Sequence, residues 1–466
     1  MLGISAGVLL LGESVLGIRF DDTGLTESLG LTALVLILTE GGLTTRWSAV
    51  RPALGLGLLL STLSVLVSIA VAGGLLHLLL DLEWRTALLW GAVLSSTDAA
   101  AVFSVLRGVA VPQRLAGTLE LESGMNDAPV VIAVVVLAGT EAISWTTPLL
   151  VVYELVAGAV VGVLLGLGAA WALRRAALPS TGLYPLAAIA SCLLAFAAGQ
   201  GVHASGLLAT YCAALVLGNS RLPHRSGVVS FAEGTGWIAQ IGLFVLLGLY
   251  AVPERLPAAV VPALICAAVV LLAARPLSVA AAALPFRVPW REQAFLSWAG
   301  LRGAVPIVLA LVAVTEGGGQ NQRLVDVVFV LVVLLTLVQG TSLPWVARLL
   351  GVVSRTDTRG VEVDAAPLDE VDAELLQVKV PPGSRLHGVY LRELRLPRGA
   401  TVSLVVRDAE AFSPGGDTRL REGDQFLVVS TRENREDTER RIRDVDRGGK
   451  LVRWHEGRGR PSGRAG

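Results

Sequence analysis

Up to about residue 350 the chain is a succession of apolar segments, each long enough or nearly long enough to cross a bilayer, and about twelve can be counted. Their approximate extents are 2–18, 26–43, 52–80, 84–105, 115–138, 147–173, 181–200, 203–218, 228–250, 257–284, 292–314 and 324–350. Just over half of the residues are hydrophobic (53%), only 16% are charged, and mean hydropathy is +0.66. Soluble globular domains do not have this composition. The expected architecture is an all-α polytopic membrane domain over 1–350, followed by a small α+β domain.

Charge in the loops alternates. Even-numbered connections carry Arg46, Arg51, Arg107, Arg114, Arg174, Arg175, Arg221, Arg225, Arg287 and Arg291, with almost no acids. Odd-numbered connections carry Asp21, Asp22, Glu27, Asp81, Glu83, Glu141, Glu254 and Glu316 against Arg19, Arg85, Arg255 and Arg323. The positive-inside rule places the even loops and both chain ends in the cytoplasm. Met1 to Leu11 lacks a basic leader region, so no cleavable signal is expected.

Beyond residue 350 charges become dense. A mixed-charge linker is expected over 351–367 and a domain over 368–445. Within it, 375–380, 401–407 and 425–430 read as strands, Glu422-Gly423-Asp424 as a turn, and 386–394 as a short helix. Residues 446–466, rich in Gly and Arg, are expected to be disordered. Cys192, Cys212 and Cys266 fall in apolar segments without CxxC spacing and read as packing residues.

The chemistry-bearing residues lie inside the apolar segments. Glu122-Ser123-Gly124-Met125-Asn126-Asp127 interrupts segment five. An ionised carboxylate at bilayer depth costs roughly 2.5–3.5 kcal/mol on insertion scales, so such groups face a polar interior or an ion path. On a helix Ser123 and Asp127 share a face, with Asn126 beside them, whereas Glu122 points about 140° away from Asp127. Asp127, Ser123 and Asn126 offer the hard oxygen ligands of a monovalent cation. Glu122 reads better as half of a buried ion pair.

Asp98 follows Ser95, Ser96 and Thr97. Three consecutive hydroxyls loosen a helix, and a break there would expose the Thr97 carbonyl and the Asp98 carboxylate to a cation. Arg275 and Arg302 are intramembrane arginines that require partners. Gly300, Gly303 and Pro306 make segment eleven a second candidate for a broken helix. Under an inverted repeat, segments three to five correspond to ten to twelve, and Asp98 corresponds to Arg302. Glu40, near the end of segment two, reads as an interfacial charge in preference to a peripheral ligand. His77 and His203 read as interfacial histidines, and Glu13 has no expected role.

Taken together, Ser96-Thr97-Asp98-Ala99-Ala100-Ala101-Val102-Phe103, Glu122 to Asp127, Arg275-Pro276 and Gly300-Leu301-Arg302-Gly303-Ala304 resemble the monovalent cation:proton antiporter-1 family, with the NhaP-type potassium/proton branch as the nearest match. That branch carries a C-terminal TrkA-C (RCK-C) domain. The resemblance implies an inverted-repeat antiporter fold with crossing broken helices. It implies Asp127 as the exchanging carboxylate, with Asp98, Ser123, the Thr97 backbone and Asn126 completing a cation/proton site. It further implies a structural Glu122–Arg275 pair, and Arg302, Gly300 and Gly303 supporting the helix crossing. The family's first helix is expected to be absent, with Met1 falling in its second. Pro129 stands one position later than the family's usual proline.

The resulting expectation is a secondary antiporter, not an enzyme. It would exchange K⁺ or Na⁺ for H⁺, electroneutrally, in a bacterial plasma membrane. A homodimer, a possible small-molecule regulator at the tail domain, no cofactor and no nucleic acid are expected. The alternatives are a regulated cation channel with an RCK-type gating domain, against which the absence of a carbonyl filter loop counts, and an intramembrane aspartyl protease, against which the flanks of the two aspartates count.

Overall fold

Lipid supplies no partner for backbone polar groups, so the spanning segments must close their hydrogen bonds internally as helices. The computed structural model describes residues 23–98, 111–139, 144–317, 321–352, 362–368, 373–381, 383–408 and 410–449. Two units separate, 1–353 and 354–466.

The described helices of the first unit are α1 (Thr23–Thr44), α2 (Leu54–Ser61), α3 (Leu63–Leu80), α4 (Trp84–Val93), α5 (Gln113–Met125), α6 (Asp127–Ala138), α7 (Thr147–Arg175), α8 (Leu183–Gly201), α9 (Gly206–Gly218), α10 (Arg225–Tyr250), α11 (Leu256–Val269), α12 (Arg275–Ala283), α13 (Trp290–Ala299), α14 (Val305–Glu316) and α15 (Gln322–Leu350). Among the described residues, eight helical stretches are long and apolar enough to cross a membrane, and α9 and α14 are shorter apolar helices. The chain is a multi-pass membrane protein. The apolar segment expected at 2–18 and the second half of that at 84–105 lie outside the described residues.

Three interruptions shape the interior. α4 ends at Val93 and the backbone from Ser96 to Asp98 is non-helical. α13 ends at Ala299, and the chain runs without helix until α14 begins. The two irregular segments meet where the Asp98 N–H donates to the Leu301 carbonyl at 2.9 Å. α5 and α6 are separated only by a bend at Asn126. Pro129 accounts for that bend, since it has no N–H to return to the carbonyl of Met125. A fourth irregularity, a π-helical turn over Val270–Ala274, joins α11 to α12 and ends directly before Arg275. Such a turn inserts an extra residue and re-aims the side chains that follow.

The apolar core around these breaks runs through α3, α4, α6, α11, α14 and α15, and α14 is buried along Val305–Val314. Close packing rests on small residues. Gly158, Gly162 and Gly166 of α7 lie against the backbone of Ser205, Ala209 and Ala213. Cys192 and Cys266 are buried, Cys212 is half-buried, and all three are free thiols. The inner stretch of α6 is closed by Arg85, whose Nε donates to the Leu137 carbonyl at 3.0 Å and whose Nη2 donates to Val136 at 3.2 Å. A guanidinium at a helix C-terminus satisfies carbonyls left without intrahelical partners.

The second unit is an antiparallel sheet of β1 (Glu362–Leu368), β2 (Ala373–Lys379), β3 (Ala400–Arg407), β4 (Glu410–Phe412) and β5 (Gln425–Thr431), in the order β1-β2-β5-β3-β4, with a C-terminal helix α16 (Arg435–Gly448). Its core contains Leu376, Val378, Val380, Leu394, Val405, Phe426, Val428, Ile442 and Val445. Three expectations are corrected here. The stretch read as linker contains β1, paired with β2 from Glu362↔Lys379 to Leu368↔Ala373. An edge strand needs only one backbone partner, so mixed charge does not preclude it. The expected helix over 386–394 is reduced to a 3₁₀ turn at Leu391–Leu394, because Gly388 adopts φ +85° and breaks the run. α16 also extends to Gly448, beyond the boundary expected at 445.

In the same domain the turn before β5 is built on Asp424, which is 1% exposed. Arg407 donates to both of its oxygens at 2.8 and 2.7 Å, and the Arg421 N–H adds a third bond at 2.7 Å. Burial alone would push this carboxyl up, but the arginine and the backbone donor outweigh it and hold it below the usual aspartate range. The sign follows by linkage. The contribution is complete above the unfolded value of about 4 and is lost as pH falls through the lower folded value. Asp424→Asn is therefore expected to cost about 2 kcal/mol at pH 7 and to remove that acid dependence. Hydrogen exchange of β3 and β5 in the full chain, at pH 7 and below pH 4, measures it; unchanged protection at pH 7 would refute the assignment.

Candidate ion-binding site

Within one helical surface, positions i, i+3, i+4 and i+7 point the same way. Glu120, Ser123, Gly124 and Asp127 have that spacing, and all four line a cavity of about 290 Å³. The remaining walls come from the C-terminal half of α1 and Thr45 after it, from Thr97 and Asp98, from Tyr211 of α9, from Glu233, Gly236, Trp237 and Gln240 of α10, and from Val305.

The break at 96–98 brings Thr97 against the α5–α6 bend. Asn126 Nδ2 donates to Thr97 Oγ1 at 2.7 Å, and the Ser123 hydroxyl lies 3.3 Å from the same oxygen. With its amide nitrogen so engaged, Asn126 presents Oδ1, which is buried without a hydrogen-bond partner. Asp127, 2% exposed, likewise has a buried Oδ1 without a partner. Buried acceptors are nearly always satisfied. Two such oxygens fall on adjacent residues, of which Asp127 lines the cavity.

Asp98 is buried at the crossing, its carboxylate lying over Gly303 where any Cβ would overlap it. It therefore sits just ahead of α14, where helix N–H groups favour negative charge. Arg302 does the reverse: fully buried, it donates through Nε to the Leu94 carbonyl at the end of α4 (3.4 Å) and through Nη1 to the Gly300 carbonyl (2.5 Å). Opposite charges thus occupy opposite helix ends. Thr336 of α15 braces the segment through the Arg302 carbonyl at 3.3 Å.

Glu122 faces away from the cavity. Arg275 grips both of its oxygens, Nη2 to Oε2 at 2.9 Å and Nη1 to Oε1, and also donates to the Leu296 carbonyl at 3.2 Å. Gly300 leaves room for this guanidinium; a Cβ there would stand 2.7 Å from Arg275 Nε.

Thr97, Asp98, Ser123, Asn126 and Asp127 are thus brought together, and Glu122 pairs with Arg275 apart from them. Glu40, read from sequence as interfacial, lies on the cavity wall against Gly236. Glu120, Thr45, Tyr211 and Glu233 were not anticipated. Glu120 had a legible signal, seven residues before Asp127 on one face; Tyr211 and Glu233 had none, being placed by packing alone.

Residues 1–349 match the model of the sodium/hydrogen exchanger transmembrane family, and residues 375–443 match the TrkA-C domain. The chain belongs to the sodium/hydrogen exchanger family. It is 36% identical over 432 residues to the K(+)/H(+) antiporter NhaP of Alkalimonas amylolytica, covering 90% of this chain and 75% of that one. It is 34% identical over 445 residues to the K(+)/H(+) antiporter NhaP2 of Shewanella baltica, covering 92% and 76%. The exchanger fold is also that of the sodium proton antiporter MjNhaP1 from Methanocaldococcus jannaschii, with a TM-score of 0.65 at 22% identity over 75% of this chain and 92% of that one.

Proposed function

We propose that this exchanger couples K⁺ or Na⁺ movement to proton movement in the opposite direction, by competition at Asp127. The observation that carries the proposal is Asp127, whose buried, donorless Oδ1 belongs to a cavity wall shared with Asp98, Ser123 and Thr97, next in sequence to the equally donorless Oδ1 of Asn126. A carboxylate that binds a proton cannot simultaneously ligate a dehydrated cation through the same oxygen, so one occupant displaces the other. With Glu122 neutralised by Arg275 and an amide at position 126, one proton leaves per cation bound, and no net charge moves. A channel would need a continuous pore in place of a titratable group buried in a packed interior.

The test is cation-driven proton flux in proteoliposomes, with K⁺ and Na⁺ compared over a range of pH. Coupled flux unaffected by clamping the membrane potential supports electroneutral exchange; flux that follows the potential sinks it.

The expected orientation puts the TrkA-C domain in the cytoplasm of a bacterial cell, where it acts on the exchanger as a regulator. Supporting this is a cleft of about 470 Å³ in that domain, lined by His387, Phe412, Arg407, Arg419 and Arg421; Arg407 is paired with Asp424, which leaves Arg419 and Arg421 to meet an anionic small molecule. Deleting residues beyond Asp364 is expected to alter the pH or cation dependence of flux. An identical profile would make the domain a passive appendage.

A further inference from the structure

Among the cavity carboxylates, Glu120 is distinguished by how it is held. It lies two helical turns, about 10 Å, before Asp127 on the same helix face, and toward the end of α5 that follows the arginine-bearing loop expected at the cytoplasmic side. Thr45, fully buried, places its Oγ1 2.5 Å from Glu120 Oε1 and 2.7 Å from the Gly41 carbonyl. A threonine hydroxyl has one proton and so can donate to only one of these. When Glu120 is ionised, Thr45 donates to it, and Gly41 still receives the Thr45 N–H at 3.1 Å. When Glu120 is protonated, its O–H donates to Thr45 Oγ1, which turns to Gly41. Both charge states have a complete hydrogen-bond arrangement without movement of the backbone.

A second feature marks the same wall. Tyr211 is 2% exposed and lines the cavity, with its hydroxyl directed at Thr45. Its ring lies on Gly124, where a Cβ would stand 2.5 Å from Cζ. The hydroxyl is also within electrostatic reach of Glu120, so a buried donor stands beside the Thr45–Glu120 pair where a transferred proton or a bridging water would pass.

Resting on the exchange reading above, we propose that Glu120, held by Thr45, is a second proton-carrying carboxylate that relays protons between the cavity mouth and Asp127. When a cation displaces the proton from Asp127, that proton passes across the cavity to a Glu120 oxygen. Thr45 shifts its donation from Glu120 to Gly41, and the proton then leaves Glu120 for bulk water. No bond other than O–H is made or broken. The charged and titratable groups around Glu120 are Arg46 beside Thr45, Glu40 on α1, Glu233 on α10, Tyr211 on α9, and Asp98 and Asp127 deeper in the cavity.

The test uses the full chain in proteoliposomes carrying an internal pH dye, with Glu120→Gln and Thr45→Val compared with the parent. The relay predicts that E120Q lowers the maximal exchange rate about tenfold, leaves the cation KM within about twofold, and changes the pH profile of the rate; T45V should do the same more weakly. E120Q with the parent's rate and pH profile overturns the relay and leaves the exchange reading standing. A raised KM with unchanged maximal rate also overturns it, since that is the signature of a carboxylate that attracts the cation. If E120Q fails to assemble, as read by its melting transition in detergent, T45V decides, and a parental rate and profile there overturns the relay. Absence of cation-driven proton flux in the parent would instead remove the exchange reading itself.

Discussion

Replacing Asp127 by asparagine is expected to reduce coupled exchange to background. The substitution keeps size and leaves the Asn126–Thr97 bond in place, so folding should survive. What disappears is the only property the mechanism needs, a group that is anionic for a cation and neutral for a proton. Truncating one partner of a buried charge interaction costs roughly 2–5 kcal/mol, which corresponds to a loss of about thirtyfold to several thousandfold in the rate at subsaturating cation. Asp98→Asn should fall between this variant and the parent. Its carboxylate lies over Gly303 at the crossing, where it contributes charge but is also held by the adjacent helix end. The measurement is dye-reported proton flux on adding K⁺ or Na⁺, with a melting curve to show that the variant is intact. A folded Asp127→Asn protein that still exchanges would end the competition mechanism.

The cation wall was legible because helix periodicity is a local property. Ser123 and Asp127 follow from spacing alone, and so does the divergence of Glu122, which the structure turns toward Arg275. The same arithmetic extended back one turn would have found Glu120. Its signal is masked by Glu122 and Asp127, the more unusual acids of the same segment. Tyr211 and Glu233 come from helices distant in sequence and reach the cavity through tertiary packing, as at Gly124, where a missing Cβ admits the tyrosine ring. No pattern in a single sequence encodes that approach.

The breaks at 96–98 and 300–303 were legible through their hydroxyl and glycine content, but their meeting was not. It depends on contacts between distant segments, the Asp98 N–H to the Leu301 carbonyl, Arg302 to the Leu94 carbonyl and Asp98 over Gly303. The π-helical turn before Arg275 is silent as well, because an apolar run such as Val270-Leu271-Leu272-Ala273-Ala274 reads as ordinary helix. In the tail domain β2 and β5 were legible from alternation, whereas β1 was hidden because an edge strand pairs through its backbone and need not bury a face.

The second large effect concerns stability and follows from the charge arithmetic around Glu122. Glu122 is 1% exposed, Arg275 3% and Arg302 0%. Two guanidiniums and the Glu122 carboxylate therefore share the interior beside the crossing that holds Asp98, and Arg302 interacts with both Arg275 and Glu122. Removing one member of a buried pair typically costs 3–5 kcal/mol, because the other is left uncompensated. The two removals are not equivalent here. Arg275→Gln leaves a carboxylate that still has Arg302 nearby. Glu122→Gln leaves Arg275 and Arg302 without the carboxylate that interacts with both, so it should be the more damaging. A double change, Glu122→Leu with Arg275→Met, removes both charges and keeps volume, and it should recover most of the lost stability, since apolar isosteres of buried pairs are often neutral. Thermal melting in detergent and yield of folded protein rank the variants. An Arg275→Gln protein less stable than Glu122→Gln would reverse the order argued from Arg302, and a double variant worse than either single would show that the pair is held by more than mutual neutralisation.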